Sequence, residues 1–232
     1  MRAVCDLSLV LLSCYTPPEW VTVWTIISAW LHDAYDHKFD INGRCRRKTR
    51  QFLTDWMGAE TADHLMLILE STSYTRENYH KRECYGELPI QELQTKQVNW
   101  RQILCNGKCA SDVCWHEIIR NVVSDADKLE AIGKAGVYRC MRFGVESMEA
   151  RGETVTPELA IEHLVQHYSE KLHQLCQNYI VSPMGVYIGM RRQSAMEREV
   201  KKCLGILISL KDGKLDRNRC MAKLRRLMNK YS

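Results

Sequence analysis

One stretch limits the choice of fold more than any other. From Trp20 to Ala34 the chain reads WVTVWTIISAWLHDA, an almost unbroken apolar run until His32 and Asp33. A helix with apolar residues all round must be buried on most sides. The run is shorter than the ~18 residues that suggest a membrane span, so its surroundings are other parts of the protein. Thr16-Pro17-Pro18-Glu19 precedes it. That segment reads as a helix start, with Thr16 as N-cap, Pro17 at the first helical position and Glu19 completing a capping box. Asp33 closes the helix in surroundings where a carboxylate is costly unless it is paired or bound to a cation.

The apolar period around this element is helical almost throughout. Residues 4–14 form a short apolar helix. A polar, basic connection with a turn at Asn42-Gly43 leads to helices over about 46–57 and 60–71. Residues 72–115 carry Pro89, two glycines and the closely spaced Cys105, Cys109 and Cys114; they read as an irregular loop or insertion. Helical period returns at Trp115. Ser124 then reads as the cap of a helix reaching Phe143, with Asp125 and Asp127 in its first turn, where carboxylates favour the helix dipole. Thr156-Pro157-Glu158 opens a helix to about Tyr179, and two more follow over about 184–210 and 215–229. No strand pair and no internal repeat is evident. The expected class is all-α: a helical bundle over residues 1–210, with a basic C-terminal helix, 211–232, packed on it.

Charge and cysteine content narrow the setting. Lysine and arginine total 33 against 28 acidic residues, a net charge of +5. This suits a phosphate-bearing ligand without requiring nucleic acid. An odd number of cysteines, eleven, does not suit a secreted disulfide scaffold. Several lie in apolar helical stretches, where a thiol acts as a small hydrophobe. The expectation is a reducing, cytoplasmic or otherwise intracellular compartment. The segment Leu7 to Cys14 has the look of a short signal-peptide core, but Asp6 borders it and no small-residue cleavage pattern follows.

Five groups of residues carry candidate chemistry. His32 and Asp33 offer one nitrogen and one oxygen to a divalent metal; equally, a polar pair can close a helix. Asp125 and Asp127 form a second acidic pair. Two residues apart on a helix, they diverge, so one can point to a metal while the other caps. Cys105, Cys109, Cys114 and His116 place four soft ligands within twelve residues. They read as a structural zinc site or as thiols in an insertion. The basic run Arg44, Arg46, Arg47, Lys48 and Arg50 either attracts phosphate or forms a solvated helix start. The C-terminal helix sets Lys214, Arg217, Arg219, Lys223, Arg225, Arg226 and Lys230 beside Leu215, Met221, Leu224 and Leu227. It covers the domain with its apolar stripe or touches an anionic surface.

The stretches LHDAYDHKF (31–39) and VSDADKLEAIGKAGVYRCMRFG (123–144) resemble two motifs of the HD-domain metal-dependent phosphohydrolases. The likeness is to the small stand-alone members, with HDxxDHK and DADRLxAxG motifs. ILESTSYT (68–75) resembles the segment that closes the site in those relatives. The resemblance runs from about residue 4 to about residue 200.

The resemblance implies an HD-domain helical bundle and a set of roles. His32, Asp33 and Asp127 would bind a divalent metal ion (manganese, magnesium, iron, cobalt, nickel or zinc). Asp33 and Lys128 would take part in catalysis, with Lys128 standing where the family has arginine and either holding phosphate or pairing with an acid. Asp36, His37, Lys38 and Asp125 would flank the site, support the ligands or contact phosphate. The implied activity is hydrolysis of a phosphomonoester or phosphodiester in a small, nucleotide-like substrate by metal-activated water.

Two departures qualify the match. No histidine precedes His32, where the family has its first ligand, and Thr72 stands where relatives often have another histidine. A catalytic metal of this kind needs three or four protein ligands and an open position. The sequence therefore also fits an HD-fold binding or scaffold protein with weakened catalysis, or a chain whose natural start lies upstream of Met1.

Overall fold

The computed structural model describes residues 1–35, 40–106 and 112–231, and all regular structure among them is helical. In chain order the helices are α1 (Arg2–Leu12), α2 (Glu19–Leu31), α3 (Arg44–Met57), α4 (Ala59–Thr72), α5 (Tyr74–Tyr85), α6 (Ile90–Thr95) and α7 (Trp100–Cys105). They continue with α8 (Trp115–Ala131), α9 (Gly133–Ala150), α10 (Pro157–Glu170), α11 (Leu175–Asn178), α12 (Pro183–Lys211) and α13 (Arg217–Lys230). No described helix is long and apolar enough to cross a membrane.

The chain divides into two compact units. The first comprises Met1–Asp127 with Ile180–Gly185; the second comprises Lys128–Tyr179 with Val186–Ser232.

In the first unit, α2 is buried along one face only, and Trp20, Val23 and Trp30 stay exposed on the other, so the burial on most sides expected from its composition is not seen. It packs against α1 and α4, and Val21, Ile27 and Ala29 are buried. Thr25 and Ser28 are buried with them. The Thr25 hydroxyl donates to the Val21 carbonyl at 2.8 Å, which satisfies a polar group on the buried face. The helix starts later than its sequence suggests. Thr16 is left-handed at φ 49° and Pro18 is the extended N-cap. A residue that precedes proline is kept out of the helical region, so Pro17, followed by Pro18, cannot open the helix.

Ile27 joins Leu53, Ala62, Leu65, Met66 and Leu69 in one apolar cluster, with Trp24, Leu31, Tyr35 and Met57 packed on it. Burying each leucine side chain contributes about 1.5–3 kcal/mol. This cluster fixes α2 against α3 and α4. On the outer side, Arg46 reaches Glu70 at 2.6 Å and Arg50 reaches Asp63 at 2.8 Å. Two members of the basic run are therefore paired across α3 and α4, on exposed surface where each pair adds little stability.

Residues 72–115 are not the irregular segment expected. They carry α5, α6 and α7. The last two have six residues each, too few turns for an apolar period to register. Arg120 on α8 holds this region together. Its side chain is fully buried, and it donates to Glu77 at 2.7 Å and to the Ser71 carbonyl at 2.9 Å. Its guanidinium lies 3.8 Å from the centroid of the Trp100 ring. One cation thus joins α8 to the end of α4, to α5 and to α7. Lys81, also buried, donates to the Gln94 carbonyl at 2.7 Å and ties α5 to α6.

The helix expected from Ser124 to Phe143 is two helices. Ser124 lies within α8, and its hydroxyl donates to the Thr72 carbonyl at 2.9 Å, not to a helix start. The break falls at Gly133, whose φ of +86° is readily available only to glycine. Asp125 and Asp127 therefore belong to the C-terminal half of α8.

In the second unit, α9 packs on α10 and α13, and α10 packs on α13. The helix expected to reach Tyr179 ends at Glu170, after which a short 3-10 turn leads into α11. Cys220, Leu224 and Met228 are the buried residues of α13, a stripe one position off the one read from the sequence except at Leu224. Arg217 pairs with Glu158 and Arg225 with Glu149, each at 2.6 Å. Tyr138 on α9 donates to Glu199 on α12 at 2.6 Å and stacks on Tyr231 with centroids 5.4 Å apart.

Replacing Arg120 by alanine strands the buried Glu77 carboxylate. Equilibrium denaturant unfolding of Arg120→Ala should show a loss of about 3–5 kcal/mol. The double variant Glu77→Leu/Arg120→Leu should lose less than the sum of the two single changes.

Candidate functional site

His32 is the first residue beyond α2 and its C-cap. The Nδ1 atom lies 2.8 Å from the Ala29 carbonyl oxygen, so it carries the proton and donates there. That contact fixes the ring orientation and leaves Nε2 to face outward. Nε2 lies 3.4 Å from Asp33 Oδ2 and 3.6 Å from Asp127 Oδ1. The His32 side chain is 5% exposed, whereas those of Asp33 and Asp127 are 57% and 43% exposed. A recessed imidazole nitrogen is thus flanked by two carboxylates open to solvent. His32 thus lies beside both carboxylates, 94 positions apart in the chain, although the three ligand atoms do not all fall within 4.8 Å of one another.

The electrostatics of the set follow from this placement. Burial opposes the charged form of His32, but the hydrogen bond and charge of Asp127, then the charge of Asp33, outweigh it. The imidazole pKa is raised from its ordinary 6.5. A group of raised pKa stabilises the folded chain below its unfolded value and loses that contribution as pH rises through the folded value.

Asp125 does not share the role of Asp127. It is fully buried. Its Oδ2 accepts from the Ser182 amide at 2.7 Å and from the Val181 amide at 3.1 Å. It therefore holds the chain immediately before α12 begins at Pro183. A Cβ at Gly185 would lie 2.5 Å from Ser182 Oγ and 3.0 Å from Asp125 Oδ2, so glycine lets the backbone close over the carboxylate. The sequence suggested a cap for the helix bearing Asp125; the carboxylate instead holds amides from a distant part of the chain.

Lys128 is 2% exposed and is the first residue of the second unit. Asp36, His37 and Lys38 lie outside the described residues. Thr72, at the position of the family's additional histidine, is buried. Its hydroxyl donates to the Leu69 carbonyl at 2.8 Å.

The cysteine cluster comes together in part. Cys105, Cys114 and His116 place one ligand atom each within 4.8 Å of the others; Cys109 lies outside the described residues. Cys114 is buried, and Cys105 and His116 are half-buried. Burial, then the neighbouring His64, lowers the His116 pKa, which favours its neutral form. Sequence spacing raised this cluster as one of two readings. The contribution of aromatic rings to its walls was not visible there: Trp20 and Trp24 lie 6.1 and 5.5 Å from the His116 ring.

No family model matches this chain, and no curated protein matches it. Two solved structures share its fold. YpgQ of Bacillus subtilis is 19% identical, with a TM-score of 0.53 over 87% of this chain and 83% of its own. A protein from Lactobacillus plantarum is 16% identical, with a TM-score of 0.60 over 90% of this chain and 85% of its own. These likenesses define an all-helical fold held in common. At this identity they extend no further than the fold.

The His32 ring should report its neighbours directly. In the metal-free protein, NMR titration should give an imidazole pKa above 6.5, and Asp127→Asn should lower it. An unchanged value in that variant would contradict the contact with Asp127.

Proposed function

We propose that this chain is a metal-dependent phosphohydrolase of the HD-domain type, acting on a phosphomonoester or phosphodiester in a small, nucleotide-like molecule. The observation that carries this reading is the convergence of His32 Nε2 with the Asp33 and Asp127 carboxylates, at 3.4 and 3.6 Å, from the end of one helix and the middle of the sequence. One imidazole and two carboxylates suit a divalent cation of intermediate to hard character. The exposed carboxylates leave the set approachable from solvent.

Each residue contributes a distinct element. Ala29 holds the His32 tautomer in which Nε2 has a lone pair to give. Asp33 and Asp127 supply the negative charge that a cation requires. Asp125 acts through the backbone, securing the 181–182 amides beside the stretch of α8 that bears Asp127. A divalent ion held by His32, Asp33 and Asp127 would supply an acidified water and would offset charge on phosphoryl oxygens. The net charge of +5 suits an anionic substrate.

A second reading is a catalytically weakened HD-fold binding or scaffold protein. It draws on the Thr72 hydroxyl being committed to the Leu69 carbonyl.

Metal content and turnover of a generic phosphate ester separate the two readings. The hydrolase reading expects metal-dependent turnover that falls about a hundredfold or more in His32→Ala and Asp127→Ala, because even outer-shell changes at metal sites cost about 10–100-fold. Bound metal with no turnover on a panel of phosphomonoesters and phosphodiesters would favour the binding protein. A folded chain that takes up no metal at His32 and hydrolyses none of the panel would sink the hydrolase.

A further inference from the structure

The cluster formed by Cys105, Cys114 and His116 is separate in residues and in chemistry from the His32 set. Cys105 ends α7, Cys114 directly precedes α8, and His116 sits in the first turn of α8. The two sulfurs are 3.4 Å apart, and Cys105 Sγ lies 3.5 Å from His116 Nδ1. A disulfide would bring the sulfurs to ~2.05 Å, so the pair is not covalently joined.

These distances approximate the edges of a coordination tetrahedron. With Zn–S near 2.3 Å and Zn–N near 2.0–2.1 Å, tetrahedral angles separate two sulfurs by ~3.8 Å and a sulfur from a nitrogen by ~3.5 Å. The imidazole of His64, on α4, lies 5.1 Å from that of His116 between ring centroids. Two imidazoles on one tetrahedral ion would have centroids ~5 Å apart. Two thiolates with imidazole select zinc over magnesium or calcium.

We propose that Cys105, Cys114 and His116 hold a structural zinc ion, with the neighbouring His64, whose ring lies outside the 4.8 Å cluster, turning in to take the fourth corner. The ion ties the end of α7 to the start of α8 and both to α4. Binding expels the two thiol protons, so affinity rises with pH. Four protein ligands leave no open position for water, so the site stabilises the fold and does not activate a nucleophile. The inference does not rest on the hydrolase reading, because none of its ligands belongs to the His32 set.

Cobalt(II) provides the test, since it reports its donors by absorption. The full chain is purified under reducing conditions, stripped with a chelator and titrated with cobalt, then with zinc. The expected result is a near-ultraviolet thiolate-to-cobalt charge-transfer band with tetrahedral visible bands, displaced by one zinc per chain. The band should be lost in Cys105→Ser/Cys114→Ser and retained in His32→Ala, so that the two metal sites are read separately. In a His32→Ala background, zinc should also raise the melting temperature, and should not once Cys105→Ser/Cys114→Ser are added. His64→Ala should keep the band and weaken zinc binding by about tenfold or more; unchanged affinity would overturn the fourth corner. A folded wild-type chain with no charge-transfer band, or a band that persists in the double serine variant, overturns the site itself.

Discussion

Arg120 carries a full charge that folding removes from water, and it stays charged at any ordinary pH. Such a group can be buried only if its donors are met, and here Glu77 and the Ser71 carbonyl meet them beneath the Trp100 ring. Burial of an ion pair rarely adds much net stability, but breaking one is costly. The consequence is positional. Four elements from separate parts of the first unit must converge on one guanidinium, and α8 can hold only the register that places Arg120 there. Asp127 lies seven positions further along the same helix, close to two turns, so the register that satisfies Arg120 also sets where Asp127 appears.

His32 depends on a different constraint. The apolar cluster of Ile27, Leu53, Leu65 and Leu69 fixes α2 by packing alone, and the histidine comes where that helix runs out. The contact to Ala29 then removes the remaining freedom of the ring. Packing orients the helix, a single hydrogen bond orients the imidazole, and a distant charged anchor sets its partner. The geometry of the set therefore depends on interactions that lie away from it.

Much of this was legible in the sequence, and the remainder was hidden for definable reasons. A run as apolar as 20–34 announces a helix with a buried face, though Trp20, Val23 and Trp30 remain exposed on the other, and a histidine-aspartate pair at its end stands out against it. Asp127 could be associated with that pair only through the likeness of its surrounding motif, since spacing alone carries no three-dimensional information. Ser124 was misleading because serine before acidic residues has the composition of a helix start. Its hydroxyl instead serves the Thr72 carbonyl, a distant partner that no local pattern encodes. The two six-residue helices α6 and α7 were too short for their period to be counted. Arg120 gave no sign of burial, because arginine is usually exposed and its partners lie 43 and 49 positions away.

Asp125 and Asp127 illustrate how closely unlike roles can be placed. One is enclosed and occupied by backbone amides; the other is open and faces an imidazole. A survey of variants scored only by loss of activity would rank the two alike. Scored by the amount of intact protein in the cell, Asp125 would stand out and Asp127 would not. On the proposed hydrolase reading, the first serves the persistence of the chain and the second its chemistry.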